Sequence, residues 1–133
     1  MKHMNFGIYV MQKNENILLP LFVEYYGNLF GYYSIHIFDN GSDDTMKPIL
    51  LNAELKGCTV IYDYDSASDF ENKGKIIGEY ITKNIQRFNI SLPLDCDEFI
   101  GIEISGEHII SKELFYKYFS LKVSFNVMGV SNN

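Results

Sequence analysis

Asp95 and Asp97 stand two residues apart at the end of an apolar run, Ile90–Leu94. If that stretch stays extended, both carboxylates share one face. Two hard oxygen ligands on one face suit Mg²⁺ or Mn²⁺, which would keep their other positions for water and substrate phosphates. A bare Asp-x-Asp is also a common solvated turn, so the pair needs company to carry chemistry. Asp39 ends another apolar run, just before Asn40-Gly41-Ser42-Asp43-Asp44. An acid in that place can accept hydrogen bonds from a ribose hydroxyl or a base N–H, or from its own turn backbone. Glu15, with Lys13, follows the first apolar run, where it either meets a ligand or favours a helix start through the dipole. Lys73 and Lys75 open a helical pattern near enough to the same edge to touch a phosphate, or serve as a solvated helix end.

The elements that must position these residues alternate. Phe6–Met11 reads as a buried strand. Apolar residues from Leu18 to Leu29 recur at helical spacing, with Asn14 or Asn16 as the expected cap and Gly31 as the stop. Tyr33–Phe38 is a second strand, and a helix capped by Asp44 or Thr45 is expected to run to about Lys56, with Gly57 ending it. Cys58–Tyr62 is a third strand. Asp63–Asn72 reads as a loop and Asn72–Phe88 as an amphipathic helix carrying Ile76, Ile77, Tyr80, Ile81, Ile85 and Phe88 on one side. Ile90–Leu94 and Ile100–Ile104 are strands, Ser111 caps a helix through Phe119, and Leu121–Met128 is a last strand. Tyr25, Tyr26, Cys96, Phe99 and Phe125 are expected to pack in the core. The order βαβαβαβ predicts an α/β fold, a mostly parallel sheet with helices on both faces. Ligands of such sheets bind beyond the carboxyl ends of the strands, where the acidic loops would meet.

Composition narrows the classes. The 133 residues read as a single domain, 1–133, with 47% hydrophobic residues. Seventeen acidic residues against eleven basic give a net charge of −6, which argues against a nucleic-acid partner. An anionic ligand must therefore be met by local cations, helix N-termini or a metal. Cys58 and Cys96 form no CxxC, and His3, His36 and His108 lack close metal-ligand spacing. With no apolar run long enough to span a membrane and no signal-peptide pattern, a reducing, cytoplasmic setting is expected.

Taken together, Lys13-Asn14-Glu15, the helix segment Leu19-Pro20-Leu21-Phe22-Val23-Glu24-Tyr25-Tyr26, Ile37-Phe38-Asp39-Asn40-Gly41-Ser42-Asp43-Asp44-Thr45 and Pro93-Leu94-Asp95-Cys96-Asp97-Glu98-Phe99 resemble a family-2-type glycosyltransferase. The similarity is to the branch with a KNE…EYY…DNGSDD…DxDEF signature, which includes bacterial capsule and lipopolysaccharide enzymes, and it spans about residues 6 to 128. The resemblance implies a GT-A fold, whose Rossmann-like half binds a nucleotide-diphosphate sugar. It places Asp97 on a Mn²⁺ or Mg²⁺ ion and Asp95 on the metal or on the ribose and sugar. It places Asp39 and Glu15 at the nucleotide and carries over weakly to Lys73. UDP is the donor nucleotide it favours, with a glycan or lipid-linked acceptor. A lipid-linked acceptor would bring the domain to the inner membrane face.

Val123–Asn133 is similar to the strand and loop that open the acceptor half of that family, with Phe125 where Trp is frequent. The domain is therefore expected to be incomplete at its C-terminus, with no residue assignable as catalytic base. The apolar surface this leaves would favour homo-oligomers. The alternative function is a non-catalytic module that binds a nucleotide sugar or a partner without turnover. A phosphohydrolase using Asp95 as nucleophile fits less well, because the pair follows the fourth strand and Phe99 stands two residues beyond Asp97.

Overall fold

The computed structural model describes residues 5–120 and 126–129. Its first strand, β1 (Phe6–Gln12), is buried along its whole length. Alternate side chains serve two cores, as the pleat requires. Phe6, Ile8 and Val10 join Ile35 and Ile37 of β2 (Ile35–Asp39) against helices α1 (Leu18–Phe30) and α2 (Lys47–Lys56). Tyr9 and Met11 join Phe38 against Ile77 of α4 (Lys73–Lys83), which carries Ile76, Tyr80 and Ile81 onto the same face. With β3 (Thr59–Ile61) and β4 (Ile90–Pro93), these strands form a four-stranded parallel sheet in the order β3-β2-β1-β4. Helices cover both faces, and the order is that of a Rossmann-like half sheet. The direction of strand addition reverses between β1 and β4, which opens a crevice beyond their carboxyl ends.

Beyond β4 the chain leaves this sheet and builds a second, three-stranded antiparallel one, which corrects the expectation of a single, mostly parallel sheet. β5 (Glu98–Ile104) pairs antiparallel with β6 (Glu107–Ile109) on one side and with β7 (Asn126–Gly129) on the other. The two-residue turn Ser105-Gly106 folds β5 back onto β6, and chain length keeps β5 from joining β4. Only Leu94–Asp97 separate β4 from β5, too few for the crossover of a dozen or more residues that a parallel neighbour needs. Helix α5 (Lys112–Ser120) follows, with the Ser111 hydroxyl accepting from the Leu114 N–H as expected, and it adds Phe115 to the first core. Part of the expected strand Leu121–Met128, with Phe125, lies outside the described residues.

Other boundaries moved for local reasons. Tyr32–Ser34 is a 3₁₀ turn, so β2 begins at Ile35. Another such turn, Asp44–Met46, precedes α2 and is capped by Asp43 rather than by Asp44 or Thr45. Asp63–Asn72 is not all loop, for α3 (Ala67–Glu71) sits within it behind a Ser66/Asp69 capping box. Helix α4 stops at Lys83 because the Asn84 side chain donates to the Tyr80 carbonyl. Ile85 is consequently exposed, while Phe88 folds back beneath the His36 ring.

Tyr25 and Tyr26 pack as expected, and they also bind the second sheet to the first. The Tyr25 hydroxyl donates to the Ile100 carbonyl. That of Tyr26 donates to the Glu98 carbonyl (2.7 Å) and accepts from the Ile100 N–H (2.9 Å). Tyr26→Phe leaves two backbone groups of β5 unpartnered and is expected to cost about 2 kcal/mol in urea unfolding. A loss under about 0.5 kcal/mol would mean that water replaces the hydroxyl.

Candidate functional site

The crevice between β1 and β4 holds a cavity of about 620 Å³, a size that suits a small-molecule ligand. Its walls come from the strand ends. Gln12, Lys13 and Glu15 follow β1, Asn40 follows β2, and Asp95, Cys96 and Asp97 follow β4. Phe70, Glu71 and Lys73 close the side from α3 and α4. Four of the five residues expected to bind ligand or metal, Glu15, Lys73, Asp95 and Asp97, therefore share one cavity.

Asp39 stands apart from them. It is 5% exposed and does not line the cavity. Its Oδ1 accepts from Gln12 Nε2 (2.9 Å) and from the Ser42 hydroxyl (2.6 Å), and its Oδ2 accepts from the Ser42 N–H (3.1 Å). Within the protein this carboxylate holds loops together. Gln12 passes the link onward, its Oε1 accepting from the Glu15 N–H (3.1 Å). A continuous chain of hydrogen bonds thus runs from Ser42 through Asp39 and Gln12 to the Glu15 backbone.

The expected caps of α1 do similar work instead. No side chain caps that helix. Asn14, at φ 57°, accepts from the Asp43 N–H through Oδ1, and its own N–H donates to the Ser42 hydroxyl. The Asn16 amide donates to the Thr45 hydroxyl. Asn40 joins the β2 loop to the β3 loop by donating to the Tyr64 and Ser66 carbonyls. Gly41 completes that junction at φ 80°, where a Cβ would come within 2.8 Å of the Asp65 carbonyl oxygen.

The Asp-x-Asp segment is a tight turn and not the extended stretch whose alternation would align its carboxylates. The Glu98 N–H donates to the Asp95 carbonyl (3.0 Å), and the Glu98 carboxylate accepts from the Asp95 N–H (2.8 Å). The turn still delivers both aspartates to the cavity wall, with Cys96 between them turned inward as expected. Burial, and then the charges of Glu15, Asp97 and Asp95, push the Cys96 thiol up to about 12. The thiol therefore stays protonated at neutral pH.

The cavity presents Glu15, Glu71, Asp95 and Asp97 against Lys13 and Lys73, an acidic balance. Lys73 Nζ lies 2.8 Å from Asp95 Oδ1 and 4.4 Å from the centre of the Phe70 ring. Among the described residues, no group of three or more His, Cys, Asp and Glu side chains forms a cage that could hold a metal by itself. Two carboxylates on one wall nevertheless match the way a Mg²⁺-like ion is held, with substrate phosphates and water completing its shell.

Sequence reasoning missed Gln12, Asn40, Phe70 and Glu98. Gln12 did carry a signal, as a polar residue closing a strand that is otherwise apolar and buried. The Ser66-x-x-Asp69 spacing likewise announces the short helix that presents Phe70. Comparison with protein-family models, curated proteins and solved structures finds no match. Among the described residues, no helix is long and apolar enough to cross a membrane.

Proposed function

We propose that the β1/β4 crevice binds a nucleotide-diphosphate sugar, and that the domain is the GT-A donor-binding half of a family-2-type glycosyltransferase. The observation that carries this reading is the Asp95–Glu98 turn facing the Lys13–Glu15 loop across the switch-point cavity. A diphosphate would meet four carboxylates there, so it needs a cation beyond Lys13 and Lys73. Asp95 and Asp97 are the residues to hold Mn²⁺ or Mg²⁺, which when bound would neutralise the diphosphate as it departs. Glu98 keeps their turn closed, and the chain through Asp39 and Gln12 fixes the opposing loop. An acceptor hydroxyl of a glycan or lipid-linked sugar would attack the anomeric carbon. None of the residues discussed is assigned as the base for that step.

Calorimetric titration of UDP, with and without Mn²⁺, tests the reading in the wild type and in Asp97→Ala. Binding is expected only with Mn²⁺, and weaker by roughly 100-fold or more in the variant, about 2.7 kcal/mol. Metal-independent binding that survives in Asp97→Ala would overturn it. So would a folded wild type that binds none of UDP, GDP and CDP.

A further inference from the structure

Lys73 occupies a place that helix energetics disfavour. It opens the eleven-residue α4, and the first turn holds no acidic residue. A cation there meets the positive end of the helix dipole. What holds the ammonium lies outside the helix: Asp95 Oδ1 at 2.8 Å and the Phe70 ring face at 4.4 Å. Asp95 is also one of the two carboxylates offered to a divalent cation, so Lys73 and the cation compete for the same group. Both members of the pair are partly exposed, 33% for Lys73 and 55% for Asp95, which keeps their attraction weak enough to be displaced. The lysine stem is flexible, and the Phe70 face, already against the ammonium, can keep it when Asp95 turns to the cation.

We propose that Lys73 is an exchangeable counter-ion. It sits on Asp95 in the cation-free protein, leaves when a divalent cation binds Asp95 and Asp97, and thereby sets the affinity for that cation. This rests on the donor-site reading above. It differs from a merely structural ion pair tying the turn to α4, because such a pair stays closed when the cation binds and leaves Lys73 equally shielded from amine-directed reagents with and without it.

Mn²⁺ alone, without nucleotide, is the probe, with free ion followed by electron paramagnetic resonance. Lys73→Met keeps an unbranched stem beside Phe70 and removes the charge. It is expected to bind Mn²⁺ about three- to tenfold more tightly than wild type, with the difference shrinking as salt is raised. Asp97→Asn is expected to lose Mn²⁺ binding. In the wild type, Mn²⁺ is expected to speed acetylation of Lys73 by an amine-directed reagent relative to Lys75, read by mass spectrometry. Unchanged or weaker Mn²⁺ binding in Lys73→Met would overturn the exchange, and if wild type still binds Mn²⁺ through Asp97 the donor site survives. Absence of Mn²⁺ binding in both wild type and Lys73→Met would overturn the exchange, while the titration of UDP with Mn²⁺ decides the metal site separately.

Discussion

Asp39→Ala is expected to lose about 3 kcal/mol of folding stability, because it strands the hydrogen-bond donors of Gln12 and Ser42 at a buried position. Asp39→Asn keeps one acceptor oxygen but sets an amide against the remaining donors, and roughly half that loss is expected. Denaturant unfolding measures both. The experiment separates two roles for this acid. If Asp39→Ala folds with wild-type stability yet loses UDP binding, the carboxylate serves the nucleotide and its internal bonds are incidental. If stability falls as expected, the acid acts first on the loops that shape the cavity.

Acid destabilisation through His36 is the second large effect. The ring is fully buried, stacked on Tyr9 at 4.7 Å. Its Nδ1 lies 3.0 Å from the Ser34 carbonyl, while Nε2 has no hydrogen-bond partner among the described residues. Burial is the main cause that brings its pKa down to about 4, and the Arg87 charge pushes the same way. The unfolded chain therefore binds a proton between about pH 6.5 and 4 that the folded one refuses. The contribution is fully present above pH 6.5 and is lost as pH falls toward 4, about 3 kcal/mol in all. His36→Phe keeps an aromatic ring for Tyr9 and removes the titration. Subtracting its stability–pH curve from that of the wild type should leave this slope. A flat difference between pH 4 and 6.5 would show that the buried ring is not what titrates.

Several features were legible because they depend on neighbours in sequence. The apolar run of β1, the helical spacing of α1 and the stop at Gly57 are local signals, and each stands where expected. The alternation of strands and helices was enough to predict a parallel sheet covered on both faces. The gathering of Glu15, Asp95 and Asp97 followed from the rule that loops after parallel strands share one edge. The errors came where two segments far apart in sequence compete for one side chain. Asn14 is a good helix cap by type, yet the β2 loop takes both its amide oxygen and its N–H. Tyr25 and Tyr26 sit at core spacing, and nothing nearby in sequence reveals that β5 needs their hydroxyls.

The sequence by itself determined the periodicities, the turn residues and the chemical types at the strand ends. Those follow from the backbone geometry of each segment and from the need to bury one face of it. Only the tertiary structure decided that Asp39 turns inward to Gln12 and Ser42 while Asn40 lines the cavity, and that Lys73 reaches Asp95 across the crevice. A carboxylate's role depends on which donors stand within 3 Å of it, and those donors arrive only when the strands are ordered in space.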